Sequence, residues 1–187
     1  MSFPLINFSS LEKSEIVKVG PKKNKSIKNI SAVRSSEMTS KDIVESLRNK
    51  FYTHKYIINN TYIYDWESDF FSITELDYAF EIEIKVTKGD FRDDFNKTKK
   101  HTLLESKEAI SNYLKPNKFF YAAPKNLLPT AIIPSYAGLI EIDPVDRVAN
   151  IVKDAPYLHK ETSLNQLKDI LLDKFYSRYK EFIAESK

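Results

Sequence analysis

The chain of 187 residues contains no cysteine. Disulfides and cysteine-ligated zinc are therefore excluded, and the absence leans toward a reducing, intracellular setting. No uninterrupted apolar run approaches the roughly 20 residues that span a bilayer. The opening "MSFPLINFSSLEKSE" lacks the basic-then-apolar layout of a secretory signal. The expectation is a soluble, cytoplasmic protein with no membrane partner. There is no internal repeat and no low-complexity block. The three histidines, His54, His101 and His159, show no paired ligand spacing.

What is present suits one domain with an appendage. Apolar residues make up 42% and aromatics 13% of the chain, enough for a real core. Residues 1–37 hold seven Lys/Arg against three Glu, whereas the remainder is net negative by one. Residues 1–37 read as a basic arm, either a polyanion contact or a solvated tail. Residues 38–187 read as the globular domain. There, "TSKDIVESLRNKF" predicts a helix capped by Thr39 or Ser40, with Asp42 closing a capping box and an apolar stripe through Ile43, Val44, Leu47 and Phe51. "KYIINNTYIY" is β-rich, with a turn or irregular link at Asn59-Asn60. Strands follow at "DFFSIT" and "AFEIEIKVT", joined through "ELDY". Asp90 opens a helical region with a break expected near residue 101. Further strands are expected at "KFFYAA" and "AGLIEID", with a short extended piece at "RVANIVK". Ser163 and Gln166 suggest a second capping box before a terminal helix striped by Leu164, Leu167, Leu171, Phe175 and Phe182. The order predicts an α/β domain, a mixed β-sheet flanked by helices.

One stretch carries chemistry. In "EIEIK", Glu81, Glu83 and Lys85 alternate with isoleucines, so as a strand they share one face while Phe80, Ile82, Ile84 and Val86 point to a core. A hairpin with "DFFSIT" turning around Leu76 pairs residues whose numbers sum to 152, which sets Asp69 opposite Glu83 and Glu67 opposite Lys85. Facing carboxylates repel at Cβ separations of roughly 4.5–5.5 Å. A divalent cation with oxygen ligands, Mg²⁺ (or Mn²⁺), removes that conflict. Lys85, one strand repeat on, can orient or help deprotonate a metal-bound water. The bland reading is an exposed strand face with an ordinary Glu–Lys pair. Glu67 and Glu81 share the face as second acids or solvated neighbours. Tyr56, Tyr62, Tyr64 and Trp66 read as sheet packing, with base stacking as the alternative.

An Asp, a spacer, and then Glu-Ile-Lys on the next strand resembles the PD-(D/E)XK nuclease superfamily, whose core runs helix, three or more mixed strands, helix, strand. The resemblance covers about Thr39 to Asp143, through "WESDFF", "FEIEIKVTKGDFRDDFNKTKKH" and "PNKFFYAAP", and is greatest to a small phage and bacterial nuclease-like group. Ser68 replaces the name-giving proline, and the Gln-x-x-x-Tyr pattern of the recombination-exonuclease branch is missing. The resemblance implies a restriction-endonuclease-like core and Mg²⁺-dependent hydrolysis of DNA, with RNA as another substrate, in the cytoplasm of a bacterial or phage-infected host cell. Asp69 and Glu83 match the metal-binding acids, with the carbonyl of Ile84 completing the set. Lys85 matches the motif lysine, and Glu45 matches an extra acidic ligand on the first helix. Lys97, Lys99, Lys100 and His101 of "NKTKKH" are candidate phosphate contacts, or a solvated basic face. The rival is a catalytically inactive nucleic-acid-binding or structural protein that retains the fold.

Overall fold

Thr39 and Asp42 cap the first helix as their spacing predicts. In the computed structural model, which describes residues 38–186, Thr39 Oγ1 accepts from the Asp42 N–H at 3.3 Å, and Asp42 Oδ2 accepts from the Thr39 N–H at 2.8 Å. The reciprocal box starts α1 (Ser40–Lys50). The basic arm lies outside the described residues.

Six strands follow chain order in one sheet: β1 (Tyr56–Tyr62), β2 (Glu67–Ile73), β3 (Ala79–Ile84), β4 (Lys118–Pro124), β5 (Ala137–Ile142) and β6 (Ala149–Lys153). β1, β2 and β3 form an antiparallel meander, β3–β4 and β4–β5 are parallel, and β6 returns antiparallel. The parallel step from β3 to β4 needs a long crossover. It is supplied by α2 (Lys88–Asp94), α3 (Thr98–Glu105) and a 3-10 turn at Ala109–Leu114. A terminal helix, α4 (Leu164–Glu185), completes an α/β fold with a mixed sheet flanked by helices.

Each sheet face has its own cover. Ile43, Leu47 and Phe51 of the α1 segment pack on Phe70, Ile82, Ile84, Phe120 and Ile140. On the other face, Phe91 of α2 and Leu104 of α3 meet Phe119, Tyr121 and Leu139. Leu167 and Leu171 of α4 cover Ile58, Phe71 and Ile73 beside them.

Several local expectations need correction. Asn59 and Asn60 make no turn but lie inside β1, where Asn60, with a left-handed φ of 49°, is the irregular point of the strand. Thr87, not Asp90, begins the crossover helices, since its hydroxyl accepts from the Asp90 N–H at 3.0 Å. They break at residues 95–97, ahead of His101. The Ser163 capping box does not form, because the Ser163 hydroxyl donates instead to Asn117 Oδ1 at 2.7 Å. Phe182 is 65% exposed, so only the first half of the α4 stripe is buried.

The α1 face is tight around Gly138. A Cβ there would meet the Phe120 ring and stand 2.7 Å from the backbone nitrogen of Ala155. Gly138→Ala should lower stability by about 1–3 kcal/mol, the usual cost of overpacking. Urea unfolding checks this, and an unchanged midpoint would show that the contact can relax.

Candidate active site

The hairpin register determines where the chemistry-bearing residues meet. Phe70 pairs with Ile82, Phe71 with Glu81 and Ser72 with Phe80, so partner numbers sum to 152 as the sequence predicts. Extending that register sets Asp69 opposite Glu83. Asp69 Oδ2 accepts from the Ile84 N–H at 2.7 Å, which fixes the carboxylate at the end of β3. The turn closes with Asp77 at φ 64° and the Asp77 N–H donating to the Thr74 carbonyl at 3.0 Å.

Contrary to a solvent-facing reading, the charged face is interior. Glu81, Glu83 and Lys85 are 0%, 2% and 6% exposed, because α2 and α3 lie over them. The cover brings its own charges. Glu83 Oε1 accepts from Lys85 Nζ at 2.8 Å and Lys97 Nζ at 2.9 Å. Lys100 Nζ stands 3.1 Å from Glu83 Oε2, an ion contact without hydrogen-bond alignment, so that oxygen lacks a donor. Asp94 of α2 collects Lys100 at 3.0 Å, Lys97 at 3.1 Å and Lys85 at 3.3 Å on Oδ1, while the Tyr121 hydroxyl donates to Oδ2 at 3.0 Å. Two buried acids thus share three ammonium groups. Glu83 is held by attraction as well as opposed by Asp69, so removing its charge does more than relieve repulsion.

Environment separates the acids. Burial, reinforced by the Glu83 charge, pushes the Asp69 carboxyl up to about 6. Burial pushes Glu81 up to about 8, even though Trp66 Nε1–H donates to its Oε1 at 2.6 Å. For Asp94, burial acts upward but is overcome by the His101 hydrogen bond and by Lys100 and Lys85, which draw it well below the carboxylate range. Burial opposes the charge on Lys97, but Glu83 and Asp94 outweigh it and raise its pKa.

A cleft of about 600 Å³ opens on Asp69, Glu83 and Lys85, with Lys41 and Val44 of α1 on its wall. It sits at the carboxyl end of β3, the usual place for ligands in open α/β sheets. Glu45 is exposed on α1 and does not line this cleft. Nor do "NKTKKH" residues form a single basic surface. Lys100 is buried on Asp94. His101 faces inward, its Nε2 on the Asp94 carbonyl at 3.0 Å and Nδ1 on the Tyr136 hydroxyl at 2.6 Å. Lys99 is exposed but paired with Asp65, and Lys97 is half exposed. Trp66 is consumed by Glu81, whereas Tyr56 and Tyr62 remain exposed on β1. Asp94 was missed in the sequence, although a signal exists. It lies three residues after Phe91, on the apolar side of a short helix, where an acid must find partners.

Among the described residues no group of three or more His, Cys, Asp or Glu side chains could hold a metal ion. Mg²⁺ keeps several waters and takes one or two carboxylates, so the cleft-lining Asp69 and Glu83 are donors of the kind it uses. The undonated Glu83 Oε2 and the raised Asp69 are groups that a cation would relieve.

No family model matches the chain, and no curated protein matches it in sequence. A solved structure, the SPO1766 protein of unknown function from Silicibacter pomeroyi, superposes with a TM-score of 0.56. It is 15% identical, and the match covers 79% of this chain and 90% of that one, a likeness of fold alone.

Asp69 and Glu81 bind protons in the folded state at pH values where the unfolded chain has released them. The stability these two groups contribute is therefore fullest below about pH 4, where Asp94, held well below the carboxylate range, begins to act in the opposite sense. It should fall as pH rises, through about 6 for Asp69 and about 8 for Glu81. The Asp69→Asn/Glu81→Gln double variant keeps both acceptors and should decline less, matching wild type near pH 4 and exceeding it at pH 8. Urea midpoints across that range test this; parallel curves would rule it out.

Proposed function

We propose that this protein is a metal-dependent nuclease of the PD-(D/E)XK type that hydrolyses DNA phosphodiester bonds in the cytoplasm. The observation that supports this best is the β2–β3 register, which sets Asp69 against Glu83 beside Lys85 at the cleft. Asp69, Glu83 and the carbonyl of Ile84 would hold Mg²⁺ or Mn²⁺. Bound there, the cation supplies charge stabilisation at the phosphate oxygens and lowers the pKa of a coordinated water.

The chain's own groups account for positioning. Lys85 is held by Glu83 and Asp94 at 2.8 and 3.3 Å, so its ammonium has one place to be, next to the acids and facing an incoming phosphate. Lys85 orients the attacking water and steadies charge on the phosphate. Asp94 keeps Lys85 and Lys100 in position through contacts that do not open to solvent. Lys97 is the adaptable member: its side chain is 48% exposed, and Glu83 retains Lys85 and Lys100 if it turns toward a phosphate oxygen.

One observation favours a second reading, a nucleic-acid-binding protein that retains the fold without cutting. Three ammonium groups already neutralise Glu83 and Asp94, so the buried charges are compensated without a divalent ion.

Cleavage of plasmid and single-stranded DNA with Mg²⁺ or Mn²⁺, against an EDTA control, separates the two. Lys85→Ala and Glu83→Gln should each lower the rate by about 10²–10⁴, with thermal melting confirming folded protein. Glu45→Ala should cut like wild type. Binding without cleavage under any metal would leave the non-catalytic reading, and equal cleavage by all variants would assign the activity elsewhere.

A further inference from the structure

A second cleft, of about 350 Å³, lies beside the first and shares Asn59 and Asn60 with it. Arg48 of α1, Arg178 of α4, Ile57, Ile58 and Phe175 line the rest, with no carboxylate among the lining residues. The two asparagines form the saddle between the clefts, and Asn60 has the left-handed backbone there.

Both arginines are fixed to that saddle. Arg48 Nη2 donates to Asn59 Oδ1 at 2.6 Å, and Arg178 Nη2 donates to the Asn60 carbonyl at 2.8 Å. Arg178 also meets Glu181 at 3.1 Å. A guanidinium carries five N–H donors, so each retains donors for an outside acceptor. The planar fork matches phosphate oxygens, and anchoring lowers the entropy cost of using it. Lys41, on the wall of the first cleft, precedes Arg48 by seven residues. They stand two helical turns apart, about 10.5 Å along α1. Positive groups thus line two adjoining clefts, and the first of these holds Asp69 and Glu83.

We propose that the cleft formed by Arg48, Asn59, Asn60 and Arg178 holds the phosphodiester backbone of the strand whose reacting phosphate lies at Asp69 and Glu83. The proposal rests on the nuclease reading but concerns binding, which needs no metal. It moves the backbone contacts from Lys99, Lys100 and His101, none of which lines either cleft, to Arg48 on α1 and Arg178 on α4.

The test is fluorescence anisotropy with labelled 20-mers of single-stranded DNA, double-stranded DNA and RNA, titrated in EDTA over a range of salt. Each lost phosphate contact lowers the slope of log affinity against log salt by about 0.7 for a single strand or 0.9 for a duplex. Arg48→Gln/Arg178→Gln should therefore lower the slope by about 1.4–1.8, and Arg48→Lys/Arg178→Lys should retain it. The probe with the largest change identifies the strand type. An unchanged slope in the Gln pair overturns the proposal, as does a loss that tracks thermal melting equally in the Gln and Lys pairs, which would make the arginines structural pins. Cleavage by wild type with an unchanged slope defeats this proposal alone, whereas wild type that neither binds nor cuts defeats the nuclease reading with it.

Discussion

Two carboxylates face one another across antiparallel strands at Asp69 and Glu83, and the repulsion between them organises their surroundings. A surface pair would be screened by water. Here Glu83 is 2% exposed, so the offset has to come from the protein. It comes from three lysines, two of them buried, and from α2 and α3, which deliver Lys97 and Lys100 onto β3. Asp94 then balances the lysines, and Tyr121 and His101 fill the remaining positions around Asp94. Each step follows from refusing a buried charge without a partner, since a lone buried ion costs several kcal/mol.

That logic makes the site a low-dielectric recess beside a wet cleft. Asp69 stands at the boundary, bonded to the Ile84 amide on one side and lining the cleft on the other. Glu81, two residues deeper, has no ammonium in hydrogen-bond contact and settles for Trp66. Three acids of one face thus occupy three electrostatic settings. Of the three, Asp69 and Glu83 line the cleft, which Asp90 of α2 also borders, and Glu81 serves the interior.

The register was legible in the sequence because alternation on two strands and a short turn leave one pairing that buries Phe70 with Ile82. The order of helices and strands was legible for the same reason, and so was the Thr39 cap. The covering of the charged face was not. Local alternation reports that Glu81, Glu83 and Lys85 share a side, but only the crossover geometry decides whether that side sees water. Lys100 and His101 looked like a basic surface because a helix in isolation has no inside. Their partners, Asp94 on the neighbouring helix and Tyr136 in the loop ahead of β5, appear only once β4 and β5 are placed. Ser163 failed as a cap because Asn117, 46 residues earlier, captures its hydroxyl.

Strand order that equals chain order has a kinetic consequence. Asp69 and Glu83 are joined by a hairpin of short loop length, so their pairing carries a small closure entropy and belongs to the early events of folding. The parallel step to β4 closes a much longer loop and forms later. During that interval the charged face is open, and water rather than α3 solvates Glu83. Docking of α2 and α3 on that face is therefore a step that desolvates ions. Its rate should respond to ionic strength more steeply than the formation of the hairpin beneath it.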